Sequence, residues 1–351
     1  MAQSHRFPGR PSVRVGFVPL VDCAPFAVAE EMGIFHRWGL QVRLEPQPGW
    51  ATIRDKVLYR EIDAAHAACG LPYSALLGIG CVPSPALVSL VLNLQGNVLV
   101  LSKRLWEEGV RDSRAFRLFA ARCGRKPVLA VVSRFSTHHF LLHSWLRSGG
   151  IDPDRDVYMP VLPPAQMAVH LKEGYLDGYC VGEPWGSAAL VEGFGACVAT
   201  SADLAPNHPE KVLLVHPRFA LDNPEAHTAL VGSLLEACSW CDLPENRPVL
   251  VDLLASRRWL HLPRDWLAPS LCGPYPGQAS LVAGSRFMIF SGATANDPGP
   301  EREEWIWRNL VATGVVSPTT TRPSAIFWRD AYLAAKRRVQ VSSAASAAAV
   351  S

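Results

Sequence analysis

Strand-like and helix-like runs alternate along this chain in two successive sets, and that alternation restricts the fold more than any single motif. Val13 to Val18 reads as a strand, Ala24 to Trp38 has helical character and stops at Gly39, and Gln41 to Glu45 reads as the next strand, which makes a βαβ unit. Ile53 to Glu61 fits a short helix, Asp63 to His66 a strand end, and Val88 to Leu94 and Val98 to Ser102 two further strands. The pattern restarts at Pro127 to Val132, with a helix over His138 to Arg147 that ends at Gly149-Gly150. Tyr158 to Leu162 and Gly178 to Val181 then read as strands around a helix over Ala165 to Glu173, and Lys211 to Val215 as the last strand. Beyond Pro217 the clearest segments are helical: Asn223 to Cys241, Arg247 to Ala255 and Glu303 to Thr313. This is an α/β chain, expected to form two lobes with a cleft between them. The expected division is residues 13–103 and 216–335 for lobe I and 104–215 for lobe II, with disordered tails at 1–12 and 341–351.

Composition excludes several classes of function. With 351 residues, 49% hydrophobic, the chain can bury cores in two domains. No run of about 18 uncharged apolar residues reads as a membrane span. A net charge of +3 gives no footprint for direct nucleic-acid binding. The nine cysteines are scattered and odd in number, which fits buried free thiols better than a disulfide framework. Met1 to Ser12 holds no apolar block, so a secretory leader is not expected and the cytoplasm is the expected location. The periplasm is the alternative if a leader is missing from this sequence.

Common enzyme signatures are missing: there is no phosphate loop, no nucleophile elbow and no zincin motif. His139 and His143 have the spacing of two metal ligands on one helix face, but no third ligand stands at a readable distance. Cys238-Ser-Trp-Cys241 has redox spacing inside a helical stretch and follows no strand. Neither is assigned a function, and no cofactor or metal is expected. His138 follows Ser136 and Thr137, both good N-cap residues, in the first turn of a helix. A helix end and an imidazole together can hold an anion, and a capped surface histidine is the plainer alternative. Lys211 follows the turn-like run Asn207-His-Pro-Glu and Gly182-Glu-Pro-Trp185 follows a strand, so both are placed where loops present side chains to a crevice. A lone lysine is otherwise a solvated charge. Trp50 offers an indole N–H and a flat wall or fills a core, and Asn97 offers an amide donor or forms a turn.

Taken together, Gly16-Phe-Val-Pro-Leu-Val-Asp22-Cys-Ala-Pro25, Trp50-Ala-Thr-Ile-Arg54-Asp-Lys56, Asp63-Ala-Ala-His66, Leu92-Asn-Leu-Gln-Gly-Asn97 and Gly182-Glu-Pro-Trp185 resemble the nitrate- and bicarbonate-binding proteins of cyanobacterial-type ABC transporters. Pro164-Ala-Gln-Met167, Asn207-His-Pro-Glu-Lys211 and Pro244-Glu-Asn-Arg247 extend the likeness, which runs in order from about Val13 to about Tyr332. The resemblance implies a type II periplasmic-binding-protein fold, a binding protein and not an enzyme, and a ligand held by Trp50, Asn97, His138, the backbone near Gly182, and Lys211. It also implies an anion preference, because the similar bicarbonate binders carry an acidic residue in place of Lys211 and Thr near His138.

Nitrate has acceptors only, so a site for it is expected to consist of donors, with Lys and His paired to nitrate or nitrite. Nothing in these residues separates nitrate from nitrite, and phosphate or sulfate needs more donors than this set supplies. The absent leader makes the chain similar to the cytoplasmic nitrate/nitrite sensor of nitrate assimilation, whose partner is an RNA-binding antiterminator. The alternatives are the substrate-binding component of a nitrate ABC transporter, whose partner is a permease, and a small-molecule enzyme on the same fold.

Overall fold

A computed structural model describes residues 11–273, 275–276, 286–324 and 326–348, and its strands divide between two sheets. The strands are β1 (Ser12–Phe17), β2 (Gln41–Pro46), β3 (Ala64–Ala68), β4 (Leu87–Gln95), β5 (Asn97–Ser102), β6 (Leu129–Ala130), β7 (Gly178–Gly182), β8 (Gly195–Thr200), β9 (Pro209–Val215) and β10 (Met288–Ile289). The first sheet runs β10-β4-β9-β3-β1-β2 and the second β6-β7-β5-β8. β1 lies parallel to β2 and β3, as the opening βαβ unit requires, and β9 lies antiparallel between β3 and β4. Helices pack around both sheets, giving the two-lobed α/β fold of the periplasmic binding proteins.

The chain passes between the sheets at two places, and both need unusual backbone. Gln95 and Gly96 take φ of 61° and 95° between β4 and β5, and Asn207 takes 60° just before β9. Glycine and asparagine tolerate this left-handed region best. The two crossings are tied together: Asn207 N–H donates to Gln95 Oε1 at 2.7 Å, and Gln95 N–H to His208 O at 3.2 Å. Judged by sheet, the expected lobe boundaries fall one strand late, because β5 belongs to the second sheet and β9 to the first. The turn at Gly96 is therefore a crossing between lobes and not a hairpin within one, a distinction that strand propensity does not carry.

β5 shows why both lobes hold together. Val98 and Val100 face a core that continues from the first sheet, while Leu99 and Leu101 face a second core with Leu129, Leu142 and Trp145. Both faces of the strand are buried, so its run is apolar throughout.

Other departures have local causes. The helix expected over Ala24 to Trp38 breaks at Gly33 (φ 64°) into Ala24–Glu31 and Ile34–Arg37. The strand expected over Tyr158 to Leu162 is reduced to isolated bridges at Tyr158 and Val161, because Pro160 between them has no N–H to give. β8 was not expected, its Gly-Ala-Cys-Val-Ala-Thr having little strand propensity. The tail expected to be disordered from 341 continues the helix Asp330–Ala348, in keeping with the high helix propensity of alanine. Residues 1–10 and 349–351 lie outside the described residues.

Gly70, at the start of the helix Leu71–Leu77, lies against the second lobe, where an added Cβ would stand 2.3 Å from the carbonyl oxygen of Phe135. Its own φ of −85° suits any residue, so the conflict is steric and falls on lobe apposition. Gly70→Ala is expected to lower unfolding stability by about 1–3 kcal/mol. Gly49→Ala, with φ of 179° and nothing within 4 Å, serves as the neutral control. Urea melts of equal midpoint for the two variants would contradict the close packing at Gly70.

Candidate functional site

Lys211 sits in the middle of the first sheet, paired across to Ala68 on β3 and Asn93 on β4, and its side chain is fully buried. A buried ammonium needs anionic partners. Asp22, in the turn Val21–Cys23 after β1, brings Oδ2 to 2.7 Å from Lys211 Nζ, and Glu210 brings Oε1 to 2.5 Å. The indole of Trp50, at the start of the helix Trp50–Leu58, covers the ammonium with its ring centre 5.3 Å away. His66 of β3 stands 3.1 Å from the other oxygen of Asp22.

The second lobe closes this cluster from the opposite side. Asn97, the first residue of β5, pairs with Gly182, the last of β7. Its Nδ2 donates to Glu210 Oε2 at 2.6 Å and to Thr137 Oγ1 at 3.0 Å, and its Oδ1 lies 2.8 Å from His138 Nε2. Thr137 in turn donates its hydroxyl hydrogen to Glu210 Oε2. A Cβ at Gly182 would lie 3.5 to 3.8 Å from Asn97 Oδ1, His138 Nε2 and Asp22 Oδ2, so the glycine backbone forms one wall of the site. Glu210 is thus a first-lobe carboxylate bonded to second-lobe Asn97 and Thr137. A cleft of about 460 Å³ opens beside Trp50, lined by Pro48 and Arg54 on one side and Val132, Arg134, Phe135 and Pro163 on the other.

Burial and charge decide the protonation of each group. Burial pushes the Asp22 carboxyl up, but Lys211 and His66 beside it outweigh this and hold it well below the usual range. Glu210 is lowered in the same way, its burial offset by Lys211, His138 and His208. Burial opposes the charge on Lys211, and Asp22 and Glu210 raise its pKa above the ordinary value regardless. Burial lowers His138 to about 4 and also lowers His66 and His208, so all three imidazoles are neutral near pH 7. Burial likewise holds Cys23, Cys69 and Cys180 as thiols and not as nucleophilic thiolates. Among the described residues, the cluster's buried atoms without a hydrogen-bond partner are Asp22 Oδ1, Trp50 Nε1, both ring nitrogens of His66, His138 Nδ1 and His208 Nε2.

All five residues named from sequence, Trp50, Asn97, His138, Gly182 and Lys211, come together in one cluster. The expectation of an all-donor site needs correcting, because Asp22 and Glu210 place two carboxylates beside Lys211. Ser136 is the residue before the helix Thr137–Ser148 but makes no side-chain cap; its hydroxyl bonds to Ser133 O at 2.6 Å. Asp22, His66 and Glu210 lie inside the motifs that carry the resemblance, but nothing in the sequence marks them as site residues, and Thr137 reads there only as a cap. Glu183, in the loop after β7, was also missed: it is buried, raised to about 7 by that burial, and accepts from Tyr275 Oη at 2.6 Å and Ser187 N at 3.0 Å. The other candidates lie elsewhere. His139 and His143 pack against each other with tilted rings, 5.7 Å between ring centres, and Cys238 and Cys241 are buried thiols with pKa values raised by burial.

The chain belongs to the NMT1-like family, whose model matches residues 7–255. It is 36% identical over 309 residues to the nitrate import ATP-binding protein NrtC of Synechocystis, covering 86% of this chain and 46% of that protein. It is 39% identical over 309 residues to the bicarbonate transport ATP-binding protein CmpC of Synechocystis, again covering 86% and 46%. The chain therefore spans about half the length of these relatives. The crystal structure of the periplasmic nitrate-binding protein NrtA from Synechocystis superimposes with a TM-score of 0.87 at 25% identity, covering 96% of this chain and 91% of that one.

Two measurements follow from the charges. Lys211→Met leaves Asp22 and Glu210 buried without their cation and is expected to cost on the order of 3–5 kcal/mol of unfolding stability; a loss under about 1 kcal/mol would contradict the ion-pair account. His138 is neutral in the folded protein down to about 4, whereas an unfolded histidine takes its proton near 6.5. Its contribution is thus present above about pH 6.5 and lost as pH falls towards 4. Relative to His138→Gln, the wild type is expected to lose on the order of 3 kcal/mol across that window. Parallel stability curves would count against a buried neutral His138.

Proposed function

We propose that this chain binds nitrate or nitrite in the buried cluster between its lobes, as the substrate-binding part of an ABC-type importer. The observation that carries this reading is the convergence of Trp50, Asn97, His138, Gly182 and Lys211. They come from five separate segments and two lobes, and they meet at a cation, an indole N–H and an imidazole. The likeness to NrtA and NrtC supports nitrate as the ligand, and their import roles favour a permease as the partner. Transport relatives favour this role over the cytoplasmic sensor with an antiterminator partner, which rests on the sequence resemblance alone. No described helix is long and apolar enough to cross a membrane, so on this reading a separate permease forms the membrane path.

On this reading nitrate lies among the Trp50 indole, Gly182, Lys211 and His138. Lys211 offers a positive charge and Trp50 an unpartnered N–H to a planar acceptor, with Gly182 and His138 beside them, and a charge-assisted bond from Lys211 is the strongest single contact. Binding then favours apposed lobes, because the contacts come from both sides and only the closed arrangement supplies them together.

Isothermal titration of the purified protein with nitrate, nitrite and bicarbonate, run separately, tests the reading. Micromolar or tighter binding of nitrate or nitrite is expected, with Trp50→Phe weaker by about 1–2 kcal/mol because it keeps the ring and loses the N–H. Binding of bicarbonate alone, or of none of the three, would reject it.

A further inference from the structure

Before a ligand enters, the cluster carries one negative charge in excess. Asp22 and Glu210 are carboxylates, Lys211 is the cation between them, and His66, His138 and His208 are neutral. None of the six is more than 2% exposed, so water screens little of that charge. A monoanion placed among them adds a second net negative charge to the same dehydrated space, and the simplest compensation is a proton on a neighbouring imidazole. We propose that the site takes up nitrate together with one proton from solvent, and that His138 receives it. This rests on the reading that nitrate binds here.

The geometry singles out His138. Its Nε2 lies 2.8 Å from the Asn97 carbonyl oxygen and 3.5 Å from Glu210 Oε1, so Nε2 carries the hydrogen of the neutral ring. Nδ1 is then a bare acceptor, buried and without a partner, and it is the atom that takes the proton. Glu210, Lys211, Asp22 and His208 face the ring from the first lobe, while His139 follows it on its own helix and Cys180 lies on β7, packed against that helix. His139 and Cys180 are neutral, the first with its pKa lowered by burial and the second with its pKa raised. The two carboxylates favour an imidazolium and Lys211 opposes it, until the incoming anion adds a third negative neighbour. His66 and His208 also hold unpartnered ring nitrogens, but both stand on the first lobe, His66 against Asp22 and the Phe26 and Trp50 rings and His208 stacked on Trp305 with Nδ1 3.1 Å from Pro209 O. His138 is brought to Glu210 by the second lobe, so its protonation is tied to the closed arrangement that the ligand favours.

Uptake of one proton makes affinity fall about tenfold for each unit of pH above neutrality, up to the pKa of the liganded imidazole. Calorimetric titration with sodium nitrate at about pH 7, in phosphate and in Tris, reads the proton directly, since the two buffers release it with different heats. The expected result is close to one proton per nitrate, with affinity falling as pH rises. His138→Gln, which keeps a donor and cannot titrate, is expected to bind more weakly with no proton uptake. Glu210→Gln removes the excess charge and is expected to bind nitrate more tightly than wild type at about pH 8, also without uptake. If either variant fails to fold, the other keeps the test. Nitrate bound by the wild type with no proton uptake and a flat pH profile would overturn the proposal, as would full uptake retained in His138→Gln. Absence of nitrate binding at every pH would instead bring down the binding reading, and the proposal with it.

Discussion

The ammonium of Lys211, held between Asp22 and Glu210 at 2.7 and 2.5 Å, is the interaction on which the rest of the structure depends. A lysine charge in the centre of a sheet is tolerable only because two carboxylates meet it, and those carboxylates are tolerable only because of the lysine. Glu210 then extends the arrangement across the cleft, since its second oxygen accepts from Asn97 and Thr137 of the other lobe. One ion cluster thus joins the two lobes and forms the floor of the candidate site, while burial keeps its three histidines neutral.

The fold supplies the two sides of that cluster by simple means. The chain crosses between sheets twice, at Gln95-Gly96 and at Asn207, and the crossings bond to each other. A ligand that touches both lobes therefore adds contacts on the two sides of these crossings and favours the apposed arrangement. The contacts that join the lobes are specific: Gly70 against Phe135, Val21 N–H on the carbonyl of Glu183 at 2.9 Å, and the Glu210 bridge. This makes ligand charge, proton balance and lobe position parts of one equilibrium.

Much of the architecture was legible in the sequence because it follows from periodicity. The βαβ start, the apolar runs of β4 and β5, and the helix Arg247–Ala255 are statements about spacing and propensity. Sheet membership was not legible, because a turn at Gly96 within a lobe and a crossing between lobes use the same residues. The five site positions came from family motifs, and the physics of the residues one at a time left each of them open. Glu210 shows the limit most clearly: strand alternation argues that it points away from its neighbour Lys211. The pairing of β4 with β9 is irregular on both sides of Lys211, and such irregularities re-aim side chains. His66 and Asp22, far apart in sequence, become a pair only when β3 and the turn after β1 are adjacent in space.

The most direct test of the account is a crystal structure of the protein grown with nitrate near neutral pH. The account predicts a planar anion between the lobes, with an oxygen within about 3.2 Å of Lys211 Nζ and others facing His138 and the Trp50 N–H. Density for nitrate elsewhere, with Lys211, Asp22, Glu210 and His138 in a closed cluster that holds no anion, would contradict it.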